Sequence, residues 1–214
     1  MNDVIKVRGM VLSAMPIGEQ DKRLVIETCA LGRITVFARG ARRTGSTLLA
    51  GSNPFTMGEF SIIPGKNSYR LSEISVTEYF RDIANAQPGV YIGFYFLDLV
   101  DYYGRENIDG TDMLNLLYVS LKALLKKEPG NELVRRIFEL RLMSINGEYF
   151  PDENAMTPSL YAICRYITDT PLSKLYSFNV KEEVLSELSR IADKALKRNI
   201  DRELKSKKIM EMMI

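Results

Sequence analysis

The segment "GARRTGST", residues 40–47, is where the sequence first suggests chemistry. Gly40, Gly45, Ser46 and Thr47 stand at spacings close to those of a phosphate-binding P-loop. Such a loop needs glycine-freed backbone amides, a lysine that reaches the outer phosphates and a helix that starts at once. Here Ser46 holds the lysine position, and Gly51 and Pro54 follow too soon for a useful helix. Nucleotide binding is not expected from this segment. What remains is a loop carrying Arg39, Arg42 and Arg43 with no acid among them.

Composition narrows the other options. The 214 residues include no histidine, so there is no Ser–His–Asp triad, no Cys–His pair, no imidazole base and no histidine metal ligand. No carboxylate or lysine signature replaces them, and neither enzyme activity nor a cofactor is expected. The two cysteines, Cys29 and Cys164, lie far apart and are expected as free thiols in a reducing compartment. "MNDVIKVRGMVLS" lacks a signal-peptide pattern, and "GVYIGFYFLDLVDYYG" is interrupted by Asp98 and Asp101 and is shorter than a membrane span. A soluble, cytoplasmic protein with no membrane partner is the expectation. Net charge is only +2, so the distribution of charge matters more than its total.

The arginine loop needs a frame. Between residues 4 and 80, "KVRGMVLSA", "RLVIETCA", "RITVFARG", "GEFSIIPG" and "YRLSEISVTEYF" read as short strands. They are rich in β-branched and aromatic residues and are separated by turn formers such as "PIGEQD" and "PGKN". A five-stranded barrel or sandwich is implied. Gly9 inside the first strand marks a bulge, a sharp bend or a loosely packed edge. Along "RITVFAR", alternation puts Ile34, Val36 and Ala38 on one face and Arg33, Thr35, Phe37 and Arg39 on the other. The second face suits single-stranded nucleic acid, where arginine neutralises phosphate and a ring stacks on bases. Equally, Phe37 would pack against the helical domain, with the arginines simply solvated.

Lys22, Arg23, Lys66 and Arg70 lie in or beside other strands and turns of this half, where ten Lys/Arg stand against seven Asp/Glu over residues 1–80. From about residue 84 the hydrophobic period becomes helical, with five stretches ending in "KEEVLSELSRIADKALKR". Asn179 is expected to cap that last stretch, and Thr111 to cap the second. The organisation is α+β: a barrel over residues 1–81, then an all-α domain over residues 82–214. "KRNIDRELKSKK", residues 197–208, adds a second basic run that would touch phosphate or an acidic partner peptide, or would be a solvated helix.

Several segments together resemble the bacterial DNA repair protein RecO family. "KVRGMVLSAMPIGEQDKRLVIET" is similar to that family's opening strand, turn and second strand, and "FARGARR" followed by "PFTMGEF" to its distinctive barrel segment. "RRIFELRLMSINGEYF" resembles its central helix, and "RELKSKKIM" its basic C-terminal signature. The resemblance implies an OB-fold barrel and a non-catalytic role in recombinational repair. That role is binding single- and double-stranded DNA, annealing strands and assisting recombinase loading in the nucleoid. It also implies RecR and the acidic, hydrophobic C-terminal tail of single-stranded-DNA-binding protein as partners.

Expected DNA contacts are Arg33, Phe37, Arg39, Arg42, Arg43, Lys22, Lys66 and Arg70. For the partner tail the candidates are Arg135, Arg136 and Arg141 on the third helix, or Lys205, Lys207 and Lys208. The three arginines cannot all face one way, so some are expected in internal ion pairs. In the Gly18-Glu19-Gln20-Asp21 turn, the acids would either pair with the arginines or stabilise the turn. Many family members carry a four-cysteine zinc element after the central helix. Here "GEYFPDENAMTPSLYAICRYI" offers only Cys164, so no zinc is expected. The alternative function is a protein-interaction adaptor that captures an acidic tail without binding DNA.

Overall fold

Alternation of inward apolar and outward polar side chains carries the N-terminal segment into strands. In the computed structural model, which describes residues 3–66 and 68–214, these are β1 (Ile5–Ile17), β2 (Asp21–Thr28), β3 (Gly32–Ala38), β4 (Met57–Pro64) and β5 (Tyr69–Glu78). Asn67 of the "PGKN" turn lies outside the described residues. The strands close into a barrel in the order β1-β2-β3-β5-β4. Every neighbouring pair is antiparallel except β3 and β5, which run parallel through Val36↔Tyr69 and Phe37↔Arg70. This is the OB-like barrel expected from the sequence.

Leu24, Ile26, Ile34, Val36, Phe60 and Ile62 fill the barrel and are fully buried. On β3 the alternation is realised residue by residue, with Ile34, Val36 and Ala38 buried and Arg33, Thr35 and Phe37 half-buried on the outer side. Gly9 and Gly58 are register partners across β1 and β4. A Cβ on Gly9 would lie 2.6 Å from the Glu27 carbonyl oxygen, and one on Gly58 would lie 2.3 Å from that of Ser75. The flanking strands press on both positions, which explains the glycine in a strand interior. A β-bulge between Val11 and Ser13 adds local twist.

The helical part comprises α1 (Gly89–Tyr103), α2 (Thr111–Leu124), α3 (Asn131–Ile145), α4 (Pro158–Asp169), α5 (Glu182–Asn199) and α6 (Lys205–Met213). The chain forms two compact units: one joins the residues up to Arg81 with Leu97–Leu114, the other joins Asp82–Phe96 with Asn115–Ile214. In the second unit, Phe96 and Phe138 stack with centroids 3.8 Å apart, and Leu117, Leu121, Ile137 and Leu188 of the same unit are buried as well. Thr157 caps α4 by accepting the Leu160 amide, with Pro158 in the first turn.

The expected Asn179 cap does not form. Its side-chain amide donates to Glu128 instead, and α5 opens after Lys181 with no side-chain cap. Its first turn holds Glu182 and Glu183 and its last turn Lys197 and Arg198, which complements the helix dipole. Thr111 opens α2 rather than capping it, and its amide bonds the Asp109 carboxylate at 2.8 Å. Among the described residues no helix is long and apolar enough to cross a membrane.

Candidate nucleic-acid interface

The loop after β3 turns at Gly40, whose φ of 67° favours glycine. The β1–β2 turn braces it. Asp21 Oδ1 accepts the Gly40 amide at 2.7 Å, and the Gln20 carbonyl accepts the Arg42 amide at 2.9 Å. The Arg42 guanidinium donates to the Gly18 carbonyl at 3.0 Å, and Arg43 Nε donates to Gln20 Oε1. Asp21 therefore shapes the loop through a backbone amide and not by pairing with an arginine. Both arginine side chains are exposed and bond neutral oxygens, so these contacts do not neutralise their positive charge.

Next to this loop, parallel pairing of β3 with β5 sets Phe37 beside Arg70. Phe37, Arg39, Tyr69, Arg70 and Asp21 line a cleft of about 280 Å³. Arg39 and Arg70 are exposed and Phe37 and Tyr69 half-buried. Burial and the neighbouring Glu106 carboxylate push the Tyr69 hydroxyl pKa up. Two rings and two guanidiniums thus share one concave surface, the combination that binds phosphate and stacks on bases. Tyr69 escapes sequence reasoning because alternation groups it with the buried Leu71. Its parallel pairing with Val36 brings it to the cleft beside Phe37.

The other expected contacts are placed differently. Arg33 is ion-paired with Asp101 within the barrel unit. Lys22 Nζ donates to the Ser52 carbonyl, Ser52 Oγ and Asn53 Oδ1 at 2.9–3.1 Å, anchoring the loop before β4. Burial, and secondarily Arg42, lower its pKa. Lys66 is exposed in the β4–β5 turn.

In the helical unit, Arg135 and Arg136 are buried around Glu139, which is fully buried itself. Arg135 Nε and Arg136 Nη1 each donate to a Glu139 oxygen at 2.9 Å, and Arg136 also reaches Glu132 and Asp193. The Tyr95 hydroxyl donates to Glu139 at 3.0 Å. These arginines are engaged inside the fold, as the facing argument anticipated. Arg141 donates to the Ile167 carbonyl at 3.2 Å.

The basic C-terminal run builds a cavity of about 490 Å³ between α5 and α6, with Leu196, Ile200 and Leu204 as apolar lining and Lys197, Lys207 and Lys208 among its charges. Lys207 pairs with Glu211 and Lys208 with Glu203. Lys205 is exposed. Cys29 and Cys164 are free thiols, Cys164 buried and Cys29 partly exposed. Two thiols in separate units do not fit a tetrahedral thiolate zinc site.

Comparison with known proteins agrees with this architecture. Residues 1–80 match the family model described as "Recombination protein O N terminal", and residues 146–208 match "Recombination protein O C terminal". The DNA repair protein RecO of Alkaliphilus metalliredigens is 35% identical over 67% of this chain and 58% of its own length, so that match spans less than two thirds of the relative. The RecO of Acetivibrio thermocellus is 28% identical over 92% of each chain, and that of Clostridium perfringens 24% identical over 98% of each. With both of its ends matched by one family and relatives aligned along nearly its whole length, the chain belongs to the RecO family of DNA repair proteins.

Proposed function

We propose that this chain is a non-catalytic recombination mediator that binds single- and double-stranded DNA, anneals complementary strands and assists recombinase loading. The observation that carries the reading is the juxtaposition of Phe37, Tyr69, Arg39 and Arg70 in one cleft beside the braced Arg42 and Arg43. Phosphate contacts would dominate, so binding is weakly sequence-dependent and falls steeply with salt. DNA binding is assigned chiefly to residues 1–81 and partner binding to residues 82–214. RecR and the tail of single-stranded-DNA-binding protein are the proposed partners, with the protein acting in the cytoplasm at the nucleoid. The tail is assigned to the α5–α6 cavity, where Leu196, Ile200 and Leu204 offer apolar surface and Lys197, Arg202, Lys207 and Lys208 outnumber the lining acids Asp193, Glu203 and Glu211.

Anisotropy of a labelled oligonucleotide across a salt series tests the DNA assignment, using wild type and an Arg39/Arg42/Arg43→Glu variant. Each lost phosphate contact should flatten the log–log salt slope by about 0.7 on single strands and about 0.9 on duplex. An unchanged affinity and slope in a folded variant would refute it. The α5–α6 cavity also favours a second reading, an adaptor that captures an acidic tail without touching DNA. Partner capture that survives nuclease, with no direct oligonucleotide binding, would select that reading.

A further inference from the structure

The helical unit carries a charged face that the barrel cleft leaves unused. Along α5, Arg190, Lys194, Lys197 and Arg198 recur at helical spacing. At 3.6 residues per turn they share one side, opposite the buried Leu188, Ala192 and Leu196. All four are exposed, and among the described residues no carboxylate is ion-paired with any of them. Glu183 and Glu187 lie on the same side of α5 but in its first turns, so the cations hold only its C-terminal half, and Asp193 is turned to Arg136. The helix dipole accounts for Lys197 and Arg198 in the last turn but not for Arg190 and Lys194 farther back.

Beside this row lies a cavity of about 220 Å³ whose lining includes Phe150, Met156, Ile191 and Ala195, with Lys194 and Arg198 as its two cations and Glu148 as its one acid. Phe150 is 73% exposed, so its ring stands in water. A cation row next to an accessible ring and an apolar hollow fits a ligand that repeats an anion and presents a flat apolar face at each repeat. An unpaired stretch of nucleic acid has that form, with phosphates along the cations and a base against the ring. A duplex keeps its bases stacked inside. An acidic peptide presents a flat face only where it carries an aromatic side chain, whereas a single strand pairs a flat base with every phosphate. We propose that this face of α5, with Phe150, is a second single-strand-binding site, independent of the barrel cleft.

The test uses the full chain and anisotropy of a labelled oligodeoxythymidylate, with a duplex as control. The variants are Lys194→Gln/Arg198→Gln, Phe150→Ala and the barrel variant Arg39→Gln/Arg42→Gln/Arg43→Gln. Lys194, Arg198 and Phe150 are exposed, so the thermal midpoints of their variants should stay at the wild-type value, while the barrel variant gives up two exposed loop hydrogen bonds and is compared at its own midpoint. Lys194→Gln/Arg198→Gln should flatten the single-strand salt slope by about 1.4, and Phe150→Ala should weaken single-strand binding at least about fivefold with the duplex unchanged. Both effects should persist in the barrel-variant background. Wild-type slope and affinity in the α5 and Phe150 variants would overturn the proposal. So would losing an acidic apolar peptide, and not the oligonucleotide, on these substitutions. Loss confined to the barrel variant refutes this site and leaves the barrel assignment standing, and loss confined to the α5 variants does the reverse.

Discussion

The Asp21 carboxylate accepts the Gly40 amide at 2.7 Å, tying the first residue of β2 to the turn that presents Arg42 and Arg43. An ionised acceptor on a backbone amide is stronger than a neutral pair. Removing it in Asp21→Ala should cost about 1.5–3 kcal/mol and expose the Gly40 amide to exchange. Asp21→Asn keeps an acceptor while deleting a negative charge that lines the cleft. It should preserve Gly40 protection and tighten oligonucleotide binding, whereas Asp21→Ala should weaken binding by loosening the loop. Hydrogen exchange read beside anisotropy checks both, and tighter binding in the alanine variant would contradict the bracing role.

Glu139 is the shared acceptor of two buried guanidiniums and the Tyr95 hydroxyl, joining α1 and α3. Deleting it strands two buried cations, and Glu139→Ala should lose about 3–5 kcal/mol in urea unfolding. Tyr95→Phe removes one hydrogen bond to that carboxylate while both guanidiniums stay paired, and should cost about 1.5–3 kcal/mol, less than Glu139→Ala. If Arg135 and Arg136 instead served a surface partner, Glu139→Ala would change partner affinity with little change in the urea midpoint.

How much of this was legible in the sequence follows the range of each signal. Strand alternation is local, and "RITVFAR" declared its inner and outer faces without help from the fold. The arginine loop was legible too, since Gly40 and the absence of acids mark an exposed turn. Tyr69 was not, because its role depends on a parallel register with Val36 on a strand far away in sequence. Asn179 carried a local cap signal that lost to Glu128, a longer-range partner. Arg135 and Arg136 announced internal pairing by their spacing, but the fully buried Glu139 that organises them lies on the same helix and looks like any surface acid in the sequence.

Gly9 and Gly58 face each other across β1 and β4. A methyl group at either position meets a neighbouring carbonyl oxygen at 2.6 Å or less, backbone that cannot swing aside. Gly9→Ala and Gly58→Ala should each destabilise the protein by about 1–3 kcal/mol or more, despite the higher strand propensity of alanine. Gly45→Ala offers a contrast, because nothing lies within 4 Å of its Cβ and only its φ of +80° opposes the change. Thermal unfolding of the three should rank Gly45→Ala as the mildest.

Glu27 gives the barrel unit a pH dependence. It is fully buried on β2, and among the described residues neither carboxyl oxygen has a hydrogen-bond partner. Gly104 and Gly110 close over it so tightly that a Cβ on Gly110 would lie 2.1 Å from Oε1. Burial pushes its pKa from 4.5 to about 8, with Arg33 opposing the shift and Asp101 reinforcing it. The folded protein therefore holds a proton that the unfolded chain releases above its ordinary pKa. Stability is fully present below pH 4.5 and is lost as pH rises toward about 8. The steepest loss is about 1.4 kcal/mol per pH unit. Glu27→Gln keeps the shape without the titration, so its unfolding free energy should be nearly flat between about pH 5 and about pH 8 while that of wild type falls. Urea titrations of both proteins across that range measure the difference, and parallel curves would show that Glu27 is ionised in the folded state.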